Sequence, residues 1–208
     1  MKTRIRIKKS SILKMTAMIA DGQVTKVDSI KVQSENNLFG YDSYTYLTWD
    51  DFEAVLTMDE LTRAVIVVFF NKMKYSPLEG DHGICFVNPA LISPSTRKDT
   101  FYYLDSLSSG DFNMQLKQIV DLSMVLYTTQ SGSNKRVKQN WVNVMCPVQP
   151  GYTECGYYML RFIKGILEEG IEVLVKDNLK DGKVEYTTDV IDEIHEELSE
   201  FVTGFIYR

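Results

Sequence analysis

Residues 146–164 read CPVQPGYTECGYYMLRFIK. Pro147, Pro150 and Gly151 predict a loop of fixed shape, because proline restricts φ and glycine turns freely. A helix is expected to start near Cys155 and run through Leu160, Phe162, Ile163 and Ile166 to about Glu169, since those apolar residues keep helical spacing. Thr153 or Glu154 can open it. Cys155 then falls in the first turn, where a thiol faces the positive end of the helix dipole, a setting that favours an anion. Gly156, with no Cβ, lets another part of the chain approach closely. Gln149 lies six residues before Cys155, and a side-chain amide there could donate to an oxyanion forming on a carbonyl under attack by the thiolate. The plainer alternative is that Cys155 is a small core residue at a helix start. These residues by themselves leave both readings open.

Outward from this stretch, Phe101-Tyr102-Tyr103-Leu104 predicts a strand that ends at Asp105-Ser106. Residues 112–127 suit an amphipathic helix, 130–138 an exposed basic loop, and Trp141 to Val144 a second short strand. A last helix is expected from Thr188 to Ile206, with Val190, Ile191, Ile194, Leu198, Phe201 and Phe205 on one face and His195 among glutamates on the solvated side. Upstream, residues 49–74 read as helical. Their seven-residue apolar run Ala64 to Phe70 is β-branched enough to fit a buried strand equally well. Residues 75–100 are broken by Pro77, Gly80, Gly83, Pro89 and Pro94 around the short apolar run Ile84 to Val87. Residues 1–45 read as an N-terminal arm, a solvated edge strand at Arg4 to Lys8 or a frayed end, with a loop from Ser34 to Ser43; residues 46–208 form the domain.

The 208 residues carry 23 Lys and Arg against 28 Asp and Glu, a net charge of −5, with 44% apolar residues. That is enough for one core, and it excludes collagen, a coiled coil and a wholly disordered chain. An acidic chain is a poor nucleic-acid binder, because phosphate neutralisation needs clustered Lys and Arg; no specific nucleic-acid partner is expected. No run approaches the ~20 apolar residues of a membrane span, and the basic N-terminus lacks a signal peptide's apolar stretch. Three cysteines, Cys85, Cys146 and Cys155, and two histidines, His82 and His195, form neither a disulfide framework nor a zinc pattern. The expected location is intracellular, nucleus or cytoplasm. No cofactor or metal is expected.

The Gln149 and Cys155-Gly156 pattern, continuing into Tyr157-Tyr158-Met159-Leu160-Arg161-Phe162, resembles the nucleophile segment of the ubiquitin-like proteases, the Ulp1/SENP-type (C48) cysteine peptidases. It is most similar to their divergent, transposon-associated plant members. Phe101 to Leu107, containing Leu-Asp-Ser-Leu, resembles the strand before it, and Tyr186 to Val202 the closing helix. The likeness extends over most of residues 46–206. It implies an α+β, papain-like fold with a central mixed sheet flanked by helices. The implied activity is hydrolysis of a peptide or isopeptide bond after the C-terminal glycines of a ubiquitin-like, SUMO-like modifier. The implied partners are that modifier or its conjugates. By the same likeness Cys155 matches the nucleophile, Gln149 the oxyanion amide, and Asp105 the acid that orients a catalytic histidine.

The family's His-Trp pair has no counterpart here. His82, followed by Gly83, is the only histidine upstream of Asp105. Two readings stand. If Ile84 to Val87 pairs antiparallel with Thr100 to Tyr103, the register that sets Ile84 opposite Tyr103 also sets His82 opposite Asp105, and His82 is the base. Otherwise residues 86–89 belong upstream, and the strand that should carry His-Trp is missing, as in a gene model that has lost an exon. The missing indole weakens the grip on a glycine tail in either case. Weak or absent turnover is expected. The alternative function is a catalytically degenerate family member that serves as a modifier-binding or interaction module.

Overall fold

A computed structural model of the chain describes residue 21 and residues 29–34, 43–75, 100–107, 112–130, 139–175 and 184–205. In chain order the elements are β1 (Ile30–Ser34), β2 (Ser43–Leu47), α1 (Trp49–Thr57), α2 (Arg63–Tyr75), β3 (Thr100–Tyr103), α3 (Met114–Gln130), β4 (Asn140–Asn143), α4 (Cys155–Glu169), α5 (Glu172–Val175) and α6 (Thr188–Thr203). The fold is α+β. Among the described residues the strands lie as two separate pairs, β1 with β2 antiparallel and β3 with β4 parallel. The strand neighbour expected for β3 at 84–87 lies outside the described residues, as does Arg4 to Lys8.

The β1–β2 pair crosses the arm boundary expected at residue 45. Its register sets Ile30 opposite Leu47 and Val32 opposite Thr45, so period-two alternation turns Val32 and Leu47 into the core. Lys31, Tyr44 and Tyr46 face outward, and the Lys31 ammonium sits 3.7 Å over the Tyr44 ring.

A buried carboxylate starts α1. Asp51 Oδ2 accepts from the Thr48 N–H at 2.5 Å and the Thr48 hydroxyl at 2.9 Å, satisfying a helix-start donor. Asp51 Oδ1 accepts from the Thr62 hydroxyl, which ties the start of α1 to the start of α2. The ambiguous run Ala64 to Phe70 is helical. Val65, Val68 and Phe69 are fully buried, and their i, i+3, i+4 spacing makes one face against β2, α4 and α6.

The main core is built where α1, α2, α4 and α6 meet. Phe52, Val55, Val65, Phe69, Tyr157, Tyr158, Leu160, Ile194 and Leu198 are all inside it. His195 is inside it as well, at 4% exposure, which corrects the solvated position expected from its glutamate neighbours. The apolar stripe of α6 is wider than its aliphatic residues suggest: His195 lies four residues after Ile191 and one turn before Ser199, both buried.

The β3–β4 pair packs its aromatic rings against the residue leading into α3 and reaches the helix itself through Asp121. Trp141 stacks on Phe101 with centroids 5.0 Å apart, and Phe112 meets Trp141 edge-on at 6.2 Å. The Trp141 indole N–H donates to Asp121 Oδ1 at 2.9 Å, and Lys117 pairs with the other Asp121 oxygen at 2.7 Å.

Candidate active site

The chain beyond β4 keeps running beside the chain beyond β3. The Val144 N–H donates to the Tyr103 carbonyl at 2.9 Å, and the Gln149 N–H to the Ser106 carbonyl at 2.8 Å. Between them the Cys146 thiol lies 3.4 Å from the Asp105 carbonyl oxygen. The turn after β3 and the loop into α4 are therefore held together before any side chain of interest is considered.

Asp105 sits two residues past the end of β3. Its Oδ2 accepts from the Tyr103 hydroxyl and its Oδ1 from the Leu107 N–H, both at 2.9 Å. A carboxylate with donors on both oxygens is held as an oriented acceptor. Burial pushes the Tyr103 phenol above its ordinary value, and the bond to Asp105 adds to that, so the phenol remains a donor to the carboxylate at neutral pH.

Gln149 is 6% exposed, rather than a surface residue between Val148 and Pro150. Its Oε1 accepts from the Ser106 hydroxyl at 2.6 Å, and its Nε2 donates to the Gly151 carbonyl at 2.7 Å. A carbonyl oxygen only accepts, so the Gly151 contact sets which end of the amide is nitrogen.

Cys155 is the first residue of α4 and is partly buried as a free thiol. Glu154 precedes it in helical conformation, and its carbonyl receives the Tyr158 N–H at 3.0 Å. The glycine after the thiol has a concrete role: a Cβ at Gly156 would lie 2.8 Å from the Leu61 Cβ, so α4 reaches the start of α2 only without that atom. The other flank of the loop is closed by residues 184–186. The Val148 N–H donates to the Val184 carbonyl at 2.8 Å, and the Tyr186 N–H to the Tyr158 hydroxyl oxygen at 3.2 Å. Tyr158, Phe162 and Tyr186 pack ring on ring there, with the Arg161 guanidinium 5.6 Å above Tyr186. Tyr152, at the loop tip, is 89% exposed.

The structure thus brings the turn of Asp105 and the loop of Gln149 into direct contact, and that loop leads within six residues to Cys155. His82 lies outside the described residues. His195 stays away from this chemistry, with its Nε2 against the Val55 carbonyl. Among the described residues no group of three or more His, Cys, Asp or Glu is arranged to hold a metal ion. Ser106 and Tyr103 are the residues the sequence reading passed over. The only signal for them was their place beside Asp105.

The family model for the Ulp1 protease family, C-terminal catalytic domain, matches residues 65–198, more than half of the chain and a span that contains His82, Asp105, Gln149 and Cys155. No curated protein and no solved structure matches the chain.

Proposed function

The chain belongs to the Ulp1 protease family, whose papain-like catalytic domains are ubiquitin-like proteases, and on that footing we propose that it is a thiol peptidase of low turnover. It cuts the peptide or isopeptide bond after the C-terminal glycines of a SUMO-like modifier, in the nucleus or cytoplasm. Residues 46–208 form its catalytic domain, and β1 packs onto it through Val32. In this reading the Cys155 thiolate adds to the scissile carbonyl carbon: the S–C bond forms and the π pair moves to oxygen. The Gln149 amide donates to that oxyanion. His82, oriented by Asp105, takes the thiol proton and returns it to the leaving amine as the oxyanion pair re-forms the carbonyl and the C–N bond breaks; water then hydrolyses the thioester. No metal or cofactor takes part in any of these steps.

The observation that supports this reading is the bond from Ser106 to Gln149. It joins the turn of the acid to the loop of the nucleophile, as a site that works on one carbonyl requires. Low turnover follows from the base. Of the two histidines in the sequence, His195 is committed to the core, so His82 is the imidazole that remains, beside Gly83 where the family has Trp. That same departure favours a second reading, a modifier-binding module without turnover.

The test uses a SUMO-type modifier that carries a C-terminal electrophile, followed by cleavage of a modifier–amine fusion. The expected result is a covalent adduct at Cys155, absent in Cys155→Ala. Cleavage should be slow, lost in His82→Ala, and reduced about a hundredfold in Gln149→Ala with unchanged folding. An adduct without any cleavage establishes the binding module. No adduct removes Cys155 as nucleophile, and cleavage that persists in His82→Ala overturns the assignment of the base.

A further inference from the structure

We propose that Ser106 is a positioning residue for the oxyanion donor: its hydroxyl holds and polarises the Gln149 amide. The inference rests on the reading of Gln149 as that donor. The terminal torsion of a glutamine is broad and roughly two-fold, so an unrestrained amide would present oxygen about as readily as nitrogen to a developing negative charge. Here both ends are held. Ser106 Oγ donates to Oε1 at 2.6 Å, and Nε2 donates to the Gly151 carbonyl at 2.7 Å. A flip would set Oε1 against the Gly151 oxygen in a place only 6% exposed, where two acceptors would face each other without water.

Ser106 acts on Gln149 twice. Its main-chain carbonyl receives the Gln149 N–H at 2.8 Å and fixes the backbone, while its side chain fixes the amide. The nitrogen of a primary amide carries two hydrogens. Gly151 engages one, and the other is the one the mechanism uses. A hydroxyl donating to the amide oxygen also draws electron density from nitrogen, which strengthens both N–H donors through the chained hydrogen bonds. Ser106→Ala removes the orientation and the polarisation but keeps the backbone bond, whereas Ser106→Thr keeps the hydroxyl.

The test measures binding of a modifier whose C-terminal glycine ends in an aldehyde. The Cys155 thiol adds to it: the S–C bond forms, the carbonyl π bond opens, and the thiol proton passes to the new oxygen or to solvent. No leaving group is expelled, so the reading does not depend on the base. The same modifier ending in a primary amide reports recognition alone. Ser106→Ala should weaken the aldehyde form about tenfold and leave the amide form unchanged, as expected for partial loss of one oxyanion donor. Ser106→Thr should bind as the natural chain does. Gln149→Ala should weaken the aldehyde form about a hundredfold, and Ser106→Ala added to it should weaken it no further, because the two act as one unit.

Loss in Gln149→Ala without loss in Ser106→Ala overturns the inference and leaves Gln149 in its role. No loss in Gln149→Ala, or no preference of the natural chain for the aldehyde, removes the reading beneath it and this inference together. Additive losses, or equal weakening of both modifier forms with a lowered Tm, assign Ser106 a purely structural part and also overturn it.

Discussion

The imidazole of His195 gives its Nε2–H to the carbonyl oxygen of Val55 at 2.5 Å, across 140 residues of chain. Val55 lies in the last turn of α1, where carbonyls have no partner within their own helix. A side chain from α6 therefore satisfies the end of α1, and the ring also meets Tyr157 edge-on with centroids 6.0 Å apart. Truncating it leaves a cavity and an unpartnered buried carbonyl. His195→Ala is expected to lower stability by about 2–4 kcal/mol, read as a reduced urea midpoint, with Cys155 labelling per folded molecule unchanged. A midpoint within error of the natural chain would place His195 outside the core.

Gly156 allows α4 to touch Leu61. In Gly156→Ala the new methyl meets the Leu61 side chain at 2.8 Å, and crowding of this kind costs about 1–3 kcal/mol. Leu61→Ala, itself destabilising because Leu61 is buried, should cost less in the Gly156→Ala background than alone. Denaturant titration of the four chains measures that coupling, and strict additivity would count against the contact.

Stability should fall on the alkaline side through two phenols, Tyr157 buried and Tyr186 partly buried. Burial pushes Tyr186 up to about 12, partly opposed by Arg161, and pushes Tyr157 higher still, helped by the Asp59 carboxylate. Their folded values lie above the unfolded value near 10, so their contribution is intact below pH ~10. It is lost as pH rises toward the folded values, because the unfolded chain releases protons that the folded chain keeps. Tyr157→Phe and Tyr186→Phe should each flatten the alkaline fall in the denaturation midpoint. Among the described residues the Tyr157 hydroxyl has no hydrogen-bond partner, so Tyr157→Phe should also match or exceed the natural chain at pH 7. Unchanged alkaline slopes in both variants would contradict this assignment.

Asp121 gives the opposite sign. The bond from Lys117, and secondarily the one from the Trp141 indole, hold its carboxyl below the usual 3.8. Its contribution is present above that value and is lost as pH falls through the lower folded value. Asp121→Asn should lower stability by up to about 1 kcal/mol at neutral pH, and the difference should shrink in acid. A constant difference across the acid range would mean that the carboxylate charge is not what matters.

The helices at 155–169 and 188–203, the strands near 101 and 141 and the loop from Cys146 to Cys155 were legible in the residues, because each is set by a local rule. Apolar spacing marks α4 and α6, β-branched and aromatic runs mark β3 and β4, and proline with glycine marks the loop. The roles expected of Asp105, Gln149 and Cys155 came from family resemblance, since a Cys at a helix start and a Gln between Val and Pro satisfy bland roles equally well.

Tertiary structure decided what depends on a partner distant in sequence. The run Ala64 to Phe70 satisfies strand and helix alike until β2, α4 and α6 supply a surface for Val65, Val68 and Phe69. Ile30 to Ser34 is a weak alternation on its own and becomes a strand because Ser43 to Leu47 lies opposite. His195 looks solvated among glutamates, yet the orphan carbonyl of Val55 draws it inside. Ser106 looks like a turn residue, and only the approach of Gln149, 43 positions later, gives its hydroxyl an amide to hold. Local periodicity carries no information about which distant group will stand opposite a polar side chain; folding supplies that group, and with it the side chain's role.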